Sequence, residues 1–354
     1  MAAAGRLSSP LPIDAYLQLI DPLWSSGRLR GRIETIIPET HRAASLVIRP
    51  GRGWAGHTAG QWVGLAVDID GVRHQRCYSL TSTPDRADGC ITVTVQAIPG
   101  GLVSNHLVHQ VEVGTVVHLD QAAGDFVLPP SAHRLPPLLF VTGGSGITPV
   151  MGMLRTLAAG PGIADAVVLH HAPVADDSIF AADLAALAER FAGLQVVTTF
   201  TGSGVPPAGA KITEARLDEL CPDWRQRQAW ACGPAPLLAD AEAAWADAQL
   251  DDHLHLERFA TARVEARPGA GGQIHFTASA ATTMANGNTS ILEAAEAAGL
   301  VPASGCRMGI CHTCTVPLRS GSVCDLRDGT VHDTEGELVQ ICVSAAAGDV
   351  ELDL

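Results

Sequence analysis

The sequence predicts a multidomain chain: an antiparallel β-barrel, then a doubly wound parallel α/β sheet, then a smaller α+β module. Three observations carry that expectation. Residues 32–130 hold short, alternating apolar runs separated by turn clusters such as Pro50-Gly51-Arg52-Gly53. Residues 135–259 alternate apolar strand with helix, the pattern of repeated βα units. Four cysteines, Cys306, Cys311, Cys314 and Cys342, follow a glycine-rich linker in the spacing C-x4-C-x2-C with a distant fourth.

Composition sets the limits. The 354 residues suggest two or three domains, and with 47% hydrophobic and 17% charged residues the chain should bury substantial cores. No apolar run approaches the roughly 18–20 residues that a membrane-spanning helix needs. The first twelve residues lack a basic start and apolar core, so no secretory signal is expected. Nine cysteines without such a signal point to the reducing cytoplasm. The formal net charge of −14 argues against nucleic acid as a partner. It fits docking onto a basic surface, and equally a generic acidic protein.

Taken in order, the elements divide into an N-terminal extension (1–31), a barrel domain (32–132), an α/β domain (133–260), a linker (261–272) and a C-terminal domain (273–354). In the extension Tyr16, Leu17, Leu19, Ile20, Leu23 and Trp24 predict a short apolar helix face packing on the body. Barrel strands are expected at 32–37, 44–49, 61–69, 77–80, 91–97 and 116–120. The α/β domain should place strands at 138–142, 166–170, 194–200 and 229–232, with helices at 149–159, 181–191 and 237–248. Pro268-Gly269-Ala270-Gly271-Gly272 reads as linker. Beyond it a strand near 273–277 precedes a helix opened by the capping box Ser290-Ile291-Leu292-Glu293 and ended by Gly299.

Chemistry concentrates in a few strings. Arg76-Cys77-Tyr78-Ser79 lies on a barrel strand, where alternation puts Arg76 and Tyr78 on one face and Ser79 on the other. A flavin needs a cation for its phosphates, an apolar wall for its ring and a hydrogen bond at N5, and this string offers all three. Gly100-Gly101-Leu102-Val103-Ser104 reads as a glycine turn into a helix capped by Ser104, whose free N–H groups would attract a pyrophosphate. Thr142-Gly143-Gly144-Ser145-Gly146-Ile147-Thr148-Pro149 runs from strand through a glycine turn into a helix, the form of a dinucleotide phosphate site. Cys232-Gly233-Pro234, at the later edge of the sheet, closes a strand where ligands gather.

The cysteine spacing is that of a plant-type [2Fe–2S] centre, and Gly305 and Gly309 would let backbone N–H groups approach its sulfurs. Cys324 could rival Cys342 as fourth ligand, but the spacing favours Cys342; His312, inside the loop, could stand for a cysteine in a Rieske-type centre, but four cysteines are already available. A zinc ribbon would want two C-x2-C pairs, and only one is present.

Together these strings, with Glu257-Arg258-Phe259, resemble the ferredoxin–NADP reductase superfamily carrying a C-terminal [2Fe–2S] domain of ferredoxin-like β-grasp fold. The arrangement looks like the reductase components of bacterial oxygenases. More narrowly, Asp21-Pro22-Leu23-Trp24 and His170-His171-Ala172-Pro173 look like reductases of fatty-acyl desaturases and alkane hydroxylases. The resemblance implies that Arg76 holds a flavin phosphate, Tyr78 packs on the isoalloxazine, Ser79 bonds N5 and Phe259 lies by the flavin. It also implies that Gly143, Gly144 and Thr148 border the nicotinamide dinucleotide, with Cys232 and Glu257 near hydride transfer.

The expected activity is transfer of electrons from NAD(P)H through FAD, in preference to FMN, and the [2Fe–2S] centre to a separate acceptor. The favoured acceptor is a membrane-embedded di-iron desaturase or hydroxylase, which would bring this cytoplasmic chain to the membrane surface. A Rieske oxygenase or cytochrome P450 is the alternative acceptor, and a redox-sensing module the alternative class. No arginine occupies Ala172-Pro173-Val174 or Thr199-Phe200-Thr201-Gly202-Ser203-Gly204, which points to NADH, while the narrow resemblance points to NADPH. Both stay open.

Overall fold

The computed structural model describes residues 13–25, 27, 29–129, 135–202, 211–259 and 271–354. The expected linker residues Pro268-Gly269-Ala270, and Ser203-Gly204 of the loop considered for nucleotide selection, lie outside them. The chain divides into two compact units: residues 1–73 with 77–258, and residues 74–76 with 259–354.

The first unit opens with helix α1 (Ile13–Ile20). The expectation that its apolar face packs on the body is not met: Leu19 is 82% and Ile20 72% exposed, and Leu23 just beyond the helix is the residue that buries. Six strands follow: β1 (Arg30–Thr40), β2 (Ala43–Pro50), β3 (Trp62–Ile69), β4 (Val72–Ser79), β5 (Ile91–Gln96) and β6 (Val116–Leu119). They order as β4-β3-β6-β1-β2-β5. A bridge between Leu80, just past β4, and Val93 of β5 joins the two edges and closes the sheet into a barrel. Asp70-Gly71, both at positive φ, make the two-residue turn between β3 and β4. Ile33, Leu46, Ile48, Val63, Leu65, Val93 and Val95 fill the interior. Helix α2 (Leu102–His109) adds Val103 and Leu107.

The same unit continues as β7 (Leu138–Gly143), α3 (Ile147–Ala159), β8 (Ala166–Ala172), α4 (Ala181–Arg190), β9 (Leu194–Phe200), α5 (Glu214–Leu220), β10 (Gln228–Cys232), α6 (Ala235–Asp247) and β11 (Leu254–Glu257). All five strands are parallel, in the order β11-β10-β7-β8-β9. β7 and β8 are buried along their whole length, as strands covered by helices on both faces must be. The reversal of strand order falls between β7 and β10, so the C-terminal ends of these two strands flank the crevice where open α/β sheets bind ligands. Cys232 therefore does not sit at an edge, as the sequence suggested. A short strand that periodicity did not reveal, β11, takes that place.

The second unit contains β12 (Gly271–Phe276), β13 (Ala281–Asn286), α7 (Ile291–Ala297), β14 (Thr315–Asp325), β15 (Val331–His332), β16 (Leu338–Gln340) and β17 (Ser344–Leu352). The sheet runs β13-β12-β17-β14-β15, with β12 and β17 parallel and β16 added to β14. Helix α7 begins at the expected capping box: Glu293 N–H donates to Ser290 Oγ at 3.2 Å, and Ser290 N–H to Glu293 Oε2 at 2.9 Å. Its Ile291, Leu292 and Ala295 lie on Ile274, Phe276, Leu318 and Val350 of the sheet, the helix-across-sheet packing of the expected β-grasp. Among the described residues no helix is long and apolar enough to cross a membrane.

Candidate active site and metal centre

Ser79 ends β4, where the barrel closes. It is 3% exposed, and its hydroxyl has no hydrogen-bond partner among the described residues. A buried hydroxyl forgoes hydrogen bonds to water, so an unpartnered one marks a place for a ligand atom. Tyr78 beside it is half-buried against the barrel core, and Arg76 turns one guanidinium nitrogen onto the Gln75 carbonyl at 2.7 Å. Gly101, not Ser104, is the N-cap of α2. Ser104 lies in the first turn instead, its hydroxyl accepting from Ile98 N–H at 3.3 Å and donating to Gly101 carbonyl at 3.4 Å. Sequence placed the cap three residues late because the glycine turn itself supplies the extended N-cap conformation.

The sheet aligns the remaining candidates side by side. Thr142, Cys232 and Glu257 are register partners across β7, β10 and β11. The glycine turn after β7 packs tightly on this row. A Cβ on Gly146 would stand 2.0 Å from the Cys232 carbonyl oxygen, and one on Gly143 would meet Pro234 Cδ at 2.8 Å. A Cβ on Gly233, N-terminal to α6, would stand 3.0 Å from the Gly143 nitrogen, and Gly144 turns through a positive φ of 53°. Thr148 closes the turn by donating to Ser145 carbonyl at 2.8 Å. Cys232 is wholly buried, and that burial, with Glu257 nearby, pushes its thiol well up. Burial alone raises the Glu257 carboxyl to about 8, and its Oε2 has no partner among the described residues.

Thr142 Oγ1 and His170 Nδ1 are 2.9 Å apart, and burial lowers the His170 ring to about 4, so it is neutral at pH 7. His171, on the opposite face of β8, has both ring nitrogens buried without partners among the described residues. Phe259 is half-buried just beyond β11.

In the second unit the four cysteines form two pairs. Cys306 Sγ accepts N–H bonds from Met308, Ile310 and Cys311 at 3.3 Å, and Cys306 N–H donates to Cys311 Sγ at 3.2 Å. Cys342 hydrogen-bonds to Cys314, which holds the Cys314 thiol below its ordinary range. Among the described residues no three His, Cys, Asp or Glu side chains meet at one point, as a single metal ion would require. Two thiol pairs ringed by backbone N–H donors suit a binuclear centre, in which each iron takes two thiolates. Cys324, the rival ligand, instead donates its thiol to the Asp325 carbonyl at 3.6 Å within β14. Gly309 at φ 74° and Gly305 are both needed: a Cβ would stand 2.6 Å from Arg327 Nη1 and 2.7 Å from Cys311 Sγ respectively. His312 is exposed, with Nδ1 at 3.2 Å from Gln340 Nε2.

A barrel with an unpartnered hydroxyl at its seam, a parallel sheet with a glycine turn at its switch point and a four-cysteine loop define a flavin- and iron–sulfur-dependent pyridine nucleotide oxidoreductase. Family models agree: an oxidoreductase FAD-binding domain matches residues 39–128, an oxidoreductase NAD-binding domain 140–243 and a 2Fe-2S iron-sulfur cluster binding domain 275–347. The chain belongs to the NAD(P)H oxidoreductases of the ferredoxin-reductase type that carry FAD and a [2Fe–2S] domain. It is 46% identical to an NADPH oxidoreductase of Mycobacterium tuberculosis, over 99% of this chain and 91% of that protein. It is 32% identical to the ferredoxin reductase component of a 3-ketosteroid-9-alpha-monooxygenase of Mycolicibacterium smegmatis, over 82% and 86%. The fold matches phthalate dioxygenase reductase with a TM-score of 0.63 at 22% identity, covering 93% of this chain and 98% of that one.

Proposed function

We propose that this chain is the reductase component of an oxygenase system, taking electrons from NADPH and delivering them singly to a separate oxygen-activating protein. The observation that carries the reading is the pair of buried, unpartnered atoms Ser79 Oγ and Glu257 Oε2, one at the barrel seam and one at the nucleotide sheet. Bound FAD would supply the acceptor for a nicotinamide hydride, and a [2Fe–2S] centre would supply one-electron transfer onward.

The chain's own residues orient these groups. Gly101 and Ser104 would border the flavin pyrophosphate and Tyr78 would cover the ring, while Arg76 and Phe259 are flavin residues by resemblance alone. The Ser79 hydroxyl donates to flavin N5. Thr142, Gly143, Gly144, Gly146 and Thr148 receive the dinucleotide, while Cys232, Gly233 and Pro234 back the nicotinamide. Glu257, kept neutral near pH 7 by its burial, holds a proton at its carboxyl beside that row. Cys306, Cys311, Cys314 and Cys342 ligate the cluster.

NADPH as donor is supported by the 46%-identical relative of that name, and an oxygenase as acceptor by the monooxygenase reductase component. The narrower expectation of a membrane di-iron desaturase or alkane hydroxylase rests on Asp21-Pro22-Leu23-Trp24 and His170-His171-Ala172-Pro173 alone, and these relatives lend it no support. Anaerobic titration of the holoprotein with NADPH and, separately, NADH tests the reading. Flavin and iron–sulfur absorbance should bleach in turn, at lower concentrations of NADPH than of NADH. A reconstituted protein that neither nucleotide bleaches would overturn it.

A further inference from the structure

We propose that the Arg42–Asp177 ion pair, assisted by Arg155, sets the register of the nucleotide sheet on the flavin barrel, making Asp177 a positioning residue for hydride transfer. The two residues lie 135 positions apart, yet Arg42 Nε and Nη2 fork onto Asp177 Oδ1 and Oδ2 at 3.3 and 2.5 Å. Asp177 is 7% exposed and closes a tight turn just after β8. Arg42 occupies the turn between β1 and β2 of the barrel. Its own carbonyl accepts the Ala97 N–H at 2.7 Å, at the start of the segment that leads through Ile98 into the Gly100-Gly101 turn. One arginine thus holds the nucleotide sheet by its side chain and the candidate flavin-phosphate turn by its backbone.

A second anchor lies nearer the reacting groups. Arg155 of α3 donates to the Thr81 carbonyl at 2.8 Å, two residues past Ser79, pairs with Asp183 and lies 4.9 Å over the Phe180 ring. Phe180 is buried at a positive φ of 62°, a conformation costly for a bulky residue, and it ends the segment that carries Asp177. Between the anchors Gly152 lets α3 touch the barrel backbone: a Cβ there would stand 2.4 Å from Leu80 carbonyl. Two separated charged contacts flanking a backbone-close approach fix rotation as well as distance. Hydride transfer needs its reacting atoms about 3–3.5 Å apart, and a shift of about 1 Å costs about a hundredfold in rate.

The inference rests on the flavin and nucleotide assignments above. Its test is single-turnover flavin reduction in the full-length holoprotein at saturating NADPH, with nucleotide affinity, charge-transfer absorbance and melting temperature measured alongside. Asp177→Asn, Arg42→Gln and the double variant should each be reduced about tenfold or more slowly. Nucleotide affinity should stay within about twofold and the charge-transfer band should weaken, with the double variant no slower than either single one. Variants that melt earlier yet are reduced at the parental rate, or single effects that multiply in the double variant, would overturn the proposal. Should Asp177→Asn fail to fold, Arg42→Lys keeps the charge and loses the fork; its parental rate would overturn the idea equally. A parental protein that neither NADPH nor NADH reduces would bring down the cofactor assignments and this inference together, whereas a reducible parent with unaffected variants would sink only the inference.

Discussion

Cys232 and Glu257 are register partners in neighbouring parallel strands, and the buried carboxyl of Glu257 lies close enough to raise the Cys232 thiol further. Because Thr142 is the partner of Cys232 on the other side, one row across three strands aligns these three candidate residues. A carboxyl at about 8 and a fully buried thiol are both uncharged at pH 7, so this row presents neutral hydrogen-bonding groups.

The Glu257 carboxyl should therefore report on pH. If its proton serves hydride transfer, flavin reduction falls as pH rises through about 8, and Glu257→Gln flattens that limb. Stability carries the same sign. The folded value lies above the ordinary 4.5, so the neutral form's contribution is complete below 4.5 and is lost as pH climbs to about 8. Glu257→Gln should match the parent's melting temperature near pH 4 and exceed it at pH 9. A variant that keeps the parent's rate limb and melts alike at both ends contradicts the assignment.

Ser79→Ala removes a hydroxyl that bonds nothing among the described residues, so stability should hold within about 0.5 kcal/mol. Flavin reduction by NADPH should nonetheless slow by about ten- to a hundredfold, the scale of one lost hydrogen bond to a reacting group. Stopped-flow absorbance at the flavin band measures it. A large loss of stability with normal reduction would assign Ser79 to packing instead.

Gly146→Ala tests the close approach of the glycine turn to β10. The new methyl would meet the Cys232 carbonyl at 2.0 Å, backbone against which nothing can rotate away. Overpacking of this kind costs about 1–3 kcal/mol, and the displaced turn should weaken nucleotide binding. Denaturant melts and an NADPH titration give both values; parental behaviour in each would show that the turn yields freely.

Among the cysteines, Cys306→Ser should abolish NADPH-driven reduction of cytochrome c while sparing flavin-linked ferricyanide reduction. Cys324→Ser should spare both, since that thiol bonds a carbonyl within its own strand. Equal loss of the two activities in Cys306→Ser would refute the linear path from flavin to cluster.

Much of this architecture was legible because local sequence and tertiary context agree. β9 spans residues 194–200 as periodicity predicts, and the capping box at Ser290 opens α7 as written. Turn chemistry and buried apolar runs are properties of adjacent residues, so they survive without knowledge of the rest of the chain. The cysteine spacing works the same way, since three of the four candidate ligands lie within nine residues. The misreadings have one origin. α1 has the pattern of a packed helix, yet among the described residues nothing covers Leu19 and Ile20. β11 is four residues long and becomes a strand through its pairing with β10.

Sequence alone determined the three cofactor-bearing parts, their order, the cysteine set and the glycine turn, because short-range periodicity and spacing encode them. Only the tertiary structure decided that Thr142, Cys232 and Glu257 share one row, that Ser79 Oγ lacks a partner, and that Arg42 reaches Asp177. Those relations join residues up to 135 positions apart. Strand register, burial and the closure of a barrel set them, and none of the three is a property of any local stretch of chain.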